Sequence, residues 1–354
     1  MPFNRSFNVI GVHAEGEVGD VVTGGVLDPP GGPFQTMYEK MRAFEKNCDQ
    51  VRQLILQEPR GRASMCANVV LPPVNPDADI GLLILESDEY VPMSGSNTIC
   101  TVTAVLETGM VKMIEPVTQV KLDTAAGLVT VQAECENGKC KNVAFDNIPC
   151  FVFKLGHEVD VPGLGTIKAD IAWGGMMFAL VDIDDIPGLS IESRNGAKLV
   201  KIGEDIKRAV QRSIHPVHPE NPDIHGVTNF QWMGTVTEEM ASKFGTGKTA
   251  VNTVVVSPGR LDRSPCGTGT CARLAVMHAR GQIAVGESFR HVSVTGTQFE
   301  SYIRGTTKVG EYDAVLPTVK GRAWITSFKQ VVLDASDPFP MGFRVGDSWH
   351  IPED

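Results

Sequence analysis

The chain has 354 residues, enough for two domains of ordinary size, and 42% of them are hydrophobic while 21% are charged, as in globular proteins. A net charge of −10 argues against a nucleic acid or an anionic membrane surface as partner. No apolar run reaches the roughly 18 residues that span a bilayer, and the first residues lack the apolar core of a signal peptide, so we expect a cytoplasmic protein.

In chain order, the first part of the sequence alternates strands with helical segments. Apolar residues alternate around glycines over 7–27, which predicts two strands joined by a polar turn. Apolar residues recur at helical spacing over 33–57, which predicts an amphipathic helix or a broken pair of helices. Strands are predicted at 65–71 and 80–86, and a helix follows from about 97 to 108.

The second part repeats this order. Its first predicted strands lie at 119–124, 128–134, 143–145, 151–155 and, as a pair broken by a double glycine, at 170–182. A second amphipathic helix is expected at 198–214, followed by a loop rich in Pro and His at 215–226. A strand at 251–256 then precedes a helix from about 269 to 280, and further strands complete the chain.

Eight cysteines are spread along the sequence, at positions 48, 66, 100, 135, 140, 150, 266 and 271. They form no Cys-x-x-Cys pair, and no histidines accompany them at the spacing of zinc ligands. His215, His218 and His225 also lack flanking ligands. We therefore expect reduced, mostly buried thiols and no metal site.

One short pattern occurs twice. Ser94-Gly95-Ser96-Asn97-Thr98 leads into an apolar helical segment that ends at Gly109, and Cys266-Gly267-Thr268-Gly269-Thr270 leads into a similar segment that ends at Gly281. Small residues before a helix, with Gly at its end, predict a helix whose N-terminus is open to a ligand. Such a terminus offers backbone N–H groups and partial positive charge to an anion, and it is expected to depress the pKa of the Cys266 thiol.

The two copies and the repeated order of elements predict an α+β protein of two pseudo-symmetric domains, with the active site in the cleft between them. The expected first domain spans 1–155 and the second 156–325, with the crossover somewhere within 125–185. The C-terminal strands, at about 325–354, are candidates for a return to the first domain.

Segments in and around the two copies also resemble a known family. Asp262–Thr270 is similar to the second catalytic motif of the proline racemase family, and Met93–Thr98 is similar to a variant of its first motif. Three further segments match the family, namely His13–Glu17, Glu58–Gly61 and Trp173–Gly175. The resemblance covers essentially the whole chain.

The resemblance implies a fold like that of diaminopimelate epimerase, with a sheet wrapped around a central helix in each domain, and a reaction without a cofactor. Family members racemise proline, epimerise 4-hydroxyproline at Cα, or dehydrate trans-3-hydroxy-L-proline. The implied site has Ser94 and Cys266 as the catalytic pair and Asp262 as partner of the ring ammonium. The implied donors to the substrate carboxylate are the backbone N–H groups of Gly95, Ser96, Gly267 and Thr268. Ser96 or Asn97 is expected to bind the ring substituent, where the family often has a histidine.

The pair Ser94/Cys266 departs from the two cysteines that are usual in the family. A Ser hydroxyl is a poorer base than a thiolate, which disfavours racemisation because that reaction needs an acid/base group on both faces of Cα. In trans-3-hydroxy-L-proline the hydroxyl and the Cα proton share one ring face, so a single group suffices for elimination. We therefore expect dehydration of this imino acid to pyrroline-2-carboxylate. The alternative is a 4-hydroxyproline 2-epimerase, or a proline racemase, that uses both residues.

Two other classes of protein remain open at this stage. A cysteine hydrolase would pair Cys266 with a His base, and the nearest in sequence, His278, lies about three turns down the helix. A non-catalytic amino-acid-binding module would keep Asp262 and the carboxylate donors but would not need Cys266. In any of these readings a homodimer would be an ordinary assembly.

Overall fold

The computed structural model describes residues 3–236, 242–244, 247–256 and 259–346. They form two compact units. The first unit runs through Phe145 and includes the chain from Gly321 onward, and the second is Asp146–Lys320. The boundary expected from the sequence, at residue 155, lies inside the strand Cys150–Val161. That strand pairs along its length with Gly165–Trp173 of the second unit, so the division falls earlier in the chain.

The first unit consists of a sheet and three helices among its described residues. Its strands are β1 (Phe3–Ala14), β2 (Glu17–Gly24), β3 (Met65–Leu71), β4 (Ile80–Leu85), β5 (Tyr90–Val91), β6 (Val117–Thr124), β7 (Gly127–Glu136), β8 (Lys139–Asp146) and the C-terminal strand, numbered β20 (Ala323–Asp334). Its helices are α1 (Met37–Cys48), α2 (Gln50–Leu56) and α3 (Gly95–Glu107).

The second unit likewise consists of strands and helices. Its strands are β9 (Cys150–Val161), β10 (Gly165–Trp173), β11 (Met177–Asp182), β12 (Val217–His218), β13 (Asn221–His225), β14 (Asn229–Thr235), β15 (Lys248–Val256), β16 (Arg260–Leu261), β17 (Ser288–Val292), β18 (Gln298–Val309) and β19 (Tyr312–Gly321). Among its described elements, the helices of more than one turn are α4 (Gly196–Ser213) and α5 (Gly267–Ala279).

The strand pairings of the two units follow the same pattern. In the first unit the order is β20-β1-β2-β3-β4-β6-β7-β8, antiparallel except for β2–β3 and β4–β6. In the second unit it is β9-β10-β11-β14-β15-β17-β18-β19, antiparallel except for β11–β14 and β15–β17. β19 also pairs with β9, which closes the second sheet on itself. In both units each parallel pair is joined by a segment that contains a helix, as parallel pairing requires.

One helix in each unit is buried by its own sheet. Every residue of α3 from Gly95 to Leu106 is buried, and the helix packs on β1, β2 and β20. α5 packs on β9 and β10 in the same way. A Cβ on Gly174, just after β10, would lie only 2.6 Å from the backbone nitrogen of Ala272, so the missing side chain lets this helix approach the sheet. A helix that is apolar on all sides is expected to be buried in this manner.

The remaining helices are amphipathic and cover the sheets. Met37, Met41 and Phe44 of α1 join the core of the first unit, and Leu199 and Ile206 of α4 join that of the second. The segment 33–57 is therefore the broken pair of helices that its pattern allowed. The loop expected at 215–226 is wrong in part, because β12 and β13 pair as a short hairpin there. Among the described residues, no helix is both long and apolar enough to cross a membrane.

Candidate active site

The first copy of the repeated pattern forms the start of α3. Ser94 is the N-cap residue, with extended backbone (φ −148°, ψ 129°), and its carbonyl oxygen accepts from the Thr98 N–H at 2.9 Å. The N–H groups of the first turn, including those of Gly95 and Ser96, consequently have no acceptor inside the helix. Gly95 and Ser96 are buried. The backbone can therefore offer these donors to an anion, as the sequence predicts.

The Ser94 side chain does not cap its own helix. Its Oγ accepts a hydrogen bond from Nδ2 of Asn97 at 3.0 Å, and Oδ1 of Asn97 accepts from Nδ2 of Asn68 at 2.9 Å. Ser96 or Asn97 is expected from the sequence to bind the ring substituent of a substrate, whereas in the structure both ends of the Asn97 side-chain amide are engaged with protein groups. Asn68 was not identified from the sequence.

The second copy forms the start of α5, and its backbone is strained. Cys266 is the N-cap residue with φ 63° and ψ 118°, a conformation that favours glycine. Its Sγ accepts from the Gly269 N–H at 3.3 Å and lies 3.6 Å from Oγ1 of Thr268. Gly267 and Thr268 are buried in the first turn, where their N–H groups have no acceptor inside the helix.

The turn before Cys266 is held by hydrogen bonds from side chains. Oδ1 of Asp262 accepts from both the backbone N–H and the hydroxyl of Ser264, at 2.8 and 2.9 Å. Oγ of Ser264 in turn accepts from the Cys266 N–H at 3.1 Å. Nδ2 of Asn252 donates to the Pro265 carbonyl at 2.8 Å. Asp262 therefore fixes the strained turn in addition to any contact with a ligand.

A second set of contacts stabilises the backbone of Cys266 through its carbonyl group. The Thr270 hydroxyl donates to the Cys266 carbonyl at 2.6 Å and lies 2.9 Å from Nδ1 of His291. Because the single hydroxyl proton is used by the carbonyl, Nδ1 of His291 must be the donor to Thr270. His291 is fully buried, and burial, with a smaller effect of Arg273, holds its pKa well below 6.5. The imidazole is therefore neutral near pH 7.

The expectation of a depressed thiol pKa at Cys266 is wrong. Burial raises the pKa of this thiol well above its usual value of 9.0, and the Asp262 carboxylate raises it further. Hydrogen bonds from the Gly269 N–H and Thr268 lower the pKa, but by less. Burial is set by tertiary packing, so the sequence alone did not reveal it.

Other candidate residues are explained by their surroundings. Cys100 and Cys271, one turn into α3 and α5, are fully buried, as is usual for core thiols. His278 lies about 18 Å along the helix axis from Cys266 at 1.5 Å per residue, which excludes it as the base of a cysteine hydrolase. In the part of the chain that the structure describes, no three His, Cys, Asp or Glu side chains are grouped so that they could hold a metal ion.

Comparison with known proteins gives the family. The family model described as proline racemase matches residues 9–344. This chain belongs to the proline racemase family. It is 42% identical over 349 residues to a 4-hydroxyproline 2-epimerase from Rhizobium etli, which covers 99% of this chain and 98% of the relative.

Solved structures of family members agree with the fold. A hydroxyproline epimerase from Agrobacterium vitis, with bound trans-4-hydroxy-L-proline, is 38% identical and matches 99% of this chain and 98% of its own with a TM-score of 0.87. A probable proline racemase from Agrobacterium radiobacter K84, with bound carbonate, is 39% identical over 97% of this chain and 98% of its own, also with a TM-score of 0.87. The mixed fold of strands and few helices, of the diaminopimelate epimerase type that the resemblance implies, is thereby confirmed.

The family also sets the type of chemistry. The chain is a proline racemase family enzyme of the epimerase/isomerase type. The relatives favour the epimerase that the sequence analysis keeps as its alternative, and they give no support to the dehydratase that it prefers.

Proposed function

We propose that this protein is a cofactor-independent 4-hydroxyproline 2-epimerase. The observation that carries the proposal is the 42% identity, over nearly the full length of both chains, to a 4-hydroxyproline 2-epimerase. The structure of the similar hydroxyproline epimerase with bound trans-4-hydroxy-L-proline supports the same substrate. Inversion at Cα would convert that imino acid into cis-4-hydroxy-D-proline.

The substrate carboxylate is held by backbone donors. A proton α to a carboxylate is weakly acidic, and its removal builds negative charge on the carboxyl oxygens. N–H groups at the first turns of α3 and α5, from Gly95, Ser96, Gly267 and Thr268, stabilise that charge without rearrangement during the reaction. The buried position of these residues supports the assignment, since such bonds are stronger away from water.

Asp262 binds the ring ammonium and thereby changes the state of Cys266. The Asp262 carboxylate raises the pKa of the Cys266 thiol, because a nearby negative charge disfavours the thiolate. A substrate cation beside Asp262 offsets that charge and so lowers the pKa of the thiol. Cys266 is consequently a neutral acid before the ammonium binds and a better base once it has bound.

Ser94 is the acid/base group for the other face of Cα. The poor basicity of a Ser hydroxyl is the reason that the sequence favours dehydration over epimerisation. The hydrogen bond from Asn97 to Oγ supports a role for Ser94, because a bond donated to an oxygen favours its anionic form. Both faces of Cα then have a competent group, Ser94 on one and Cys266 on the other.

The test is a comparison of two reactions in one preparation. Inversion of trans-4-hydroxy-L-proline is followed by polarimetry, and dehydration of trans-3-hydroxy-L-proline by detection of the cyclic imine. We expect inversion to be the faster reaction by a wide margin, and Ser94→Cys to retain it. Dehydration that is faster than inversion would replace the epimerase with the dehydratase. A protein that binds the imino acid but exchanges no Cα proton with solvent would be a binding module.

A further inference from the structure

We propose that Asn68 and Asn97 are positioning residues that set the direction of the hydrogen bond to Ser94 and so make a serine usable in place of a cysteine. This inference rests on the proposed function, in which Ser94 moves a proton to or from Cα. Neither asparagine acts on the substrate in this proposal. Asn97 acts on Ser94, and Asn68 acts on Asn97.

The three side chains form a continuous chain of hydrogen bonds. Nδ2 of Asn97 lies 3.0 Å from Oγ of Ser94, and Nδ2 of Asn68 lies 2.9 Å from Oδ1 of Asn97. Asn97 is 1% exposed and Asn68 is fully buried, so water does not compete for these groups. An amide has one donor end and one acceptor end. Donation from Asn68 to Oδ1 therefore turns the donor end of Asn97 toward Ser94.

A glycine in the neighbouring strand β2 leaves space for this pair of side-chain amides. Asn68 lies on β3, opposite Val21 of β2 and Ile84 of β4. A Cβ on Gly19 would lie 2.6 Å from Oδ1 of Asn97 and 2.9 Å from Nδ2 of Asn68, both closer than real Cβ contacts. The absence of a side chain at this position of β2 leaves room for the two amides to meet.

The direction of the bond decides what Ser94 can do. When Asn97 donates to Oγ, the anionic form of Ser94 is favoured and the hydroxyl proton points away from Asn97. With the amide reversed, Ser94 would donate its proton to Oδ1 and could not deliver it to Cα. The donating direction therefore helps Ser94 both as an acid and as a base.

The second copy of the repeat supports the same interpretation. Three residues after Cys266, the backbone N–H of Gly269 donates to Sγ at 3.3 Å. Three residues after Ser94, the side chain of Asn97 donates to Oγ at 3.0 Å. Equivalent positions thus supply a donor to each acid/base atom, from the backbone in α5 and from a side chain in α3.

The experiment separates inversion from simple exchange of the Cα proton. Each epimer of 4-hydroxyproline is incubated in D₂O with wild type, Asn68→Leu and Asn97→Asp. Asn97→Asp keeps the shape, suits the first turn of a helix, and replaces the donor with an acceptor. Thr101→Val is the control, because the Thr101 hydroxyl donates to the backbone carbonyl oxygen of Asn97 at 2.8 Å and not to its side-chain amide.

We expect inversion to fall roughly tenfold to a hundredfold in both variants, as for other supporting hydrogen bonds at reacting groups. The epimer whose Cα proton faces Cys266 should still exchange that proton, because Cys266 can return a deuteron to the same face. The other epimer should lose exchange together with inversion. The equilibrium constant between the two epimers does not depend on the enzyme, so kcat/KM for inversion must fall by the same factor in both directions. A difference between the two faces of Cα can therefore be seen only in the exchange of the Cα proton.

Two results would overturn the proposal. One is an Asn68→Leu protein that inverts at the wild-type rate, and the other is a uniform loss of exchange and inversion with both epimers, as a structural defect would give. A second measurement does not depend on folding of these variants or on the substrate. In NMR spectra, Ser94→Ala should change the chemical shifts of the Asn97 side-chain amide protons. Unchanged chemical shifts would also contradict the hydrogen bond from Asn97 to Ser94. If the wild-type protein does not invert 4-hydroxyproline but Ser94→Ala still shifts the Asn97 amide protons, the proposed epimerase activity is refuted. The chain of hydrogen bonds from Asn68 through Asn97 to Ser94 is then still supported.

Discussion

At the scale of residues, Cys266 is held by groups that act on its pKa in opposite directions. Burial and the Asp262 carboxylate raise the pKa, and the Gly269 N–H and Thr268 lower it. The helix N-terminus is therefore not the largest influence on this thiol. Asp262 has three effects at this site. It accepts hydrogen bonds from Ser264, it raises the pKa of the Cys266 thiol and, in the proposed reaction, it binds the ring ammonium.

The influence of Asp262 on the thiol gives a direct pH prediction. Asp262→Asn removes the negative charge, so the pKa of Cys266 should fall and alkylation by iodoacetamide should begin at lower pH than in wild type. Mass spectrometry of the Cys266 peptide follows this residue alone among the eight cysteines. Asp160→Asn, at an exposed position of the same unit, is the control and should leave the profile unchanged. A midpoint that stays or rises in Asp262→Asn would contradict the electrostatic effect.

The binding role of Asp262 is tested with two ligands. Asp262→Asn should weaken 4-hydroxyproline more than pyrrole-2-carboxylate, which has a carboxylate but no ammonium. A charge-assisted hydrogen bond contributes about 1.5–3 kcal/mol, so the Kd ratio of the two ligands should change by roughly tenfold to a hundredfold. Calorimetry supplies both constants. Equal losses for both ligands would assign Asp262 to the turn alone.

At the scale of elements, the start of α5 depends on a residue from a distant strand. His291 of β17 donates to Thr270, and Thr270 donates to the carbonyl of the strained Cys266. Nδ1 carries a proton in both the neutral and the cationic imidazole, so this hydrogen bond does not itself depend on the charge of the ring. Burial disfavours the cation, and the pKa of His291 therefore lies well below 6.5.

That depressed pKa predicts a loss of stability in acid. Below about pH 6.5 the unfolded chain binds a proton at His291 that the folded protein does not, so the free energy of unfolding falls as pH decreases, by at most about 1.4 kcal/mol per pH unit. His291→Asn keeps a donor but cannot titrate, so its urea-unfolding free energy should change less between pH 7 and 5. His225→Asn, at an exposed position, should behave as wild type. A variant as acid-sensitive as wild type would assign the loss to other groups.

At the scale of the whole molecule, local patterns predicted the elements but not the contacts between them. The helices expected from about 97 and 269 begin at Gly95 and Gly267, because small residues and a terminal glycine mark such helices locally. Asn68 could not be linked to Ser94 from the sequence, since its partner Asn97 lies 29 residues away and is reached through the packing of α3 on β2 and β3. The pKa of Cys266 was missed for the same reason, since burial is a property of the folded chain.

The most direct test of the proposed function is proton NMR of trans-4-hydroxy-L-proline incubated with the protein in D₂O. We expect cis-4-hydroxy-D-proline to form with one deuterium at Cα, until the two epimers reach equilibrium. Ser94→Ala and Cys266→Ala should each abolish inversion, since each removes the group that serves one face of Cα. Wild-type protein that leaves Cα protonated and its configuration unchanged would contradict the assignment, as would either variant inverting at the wild-type rate.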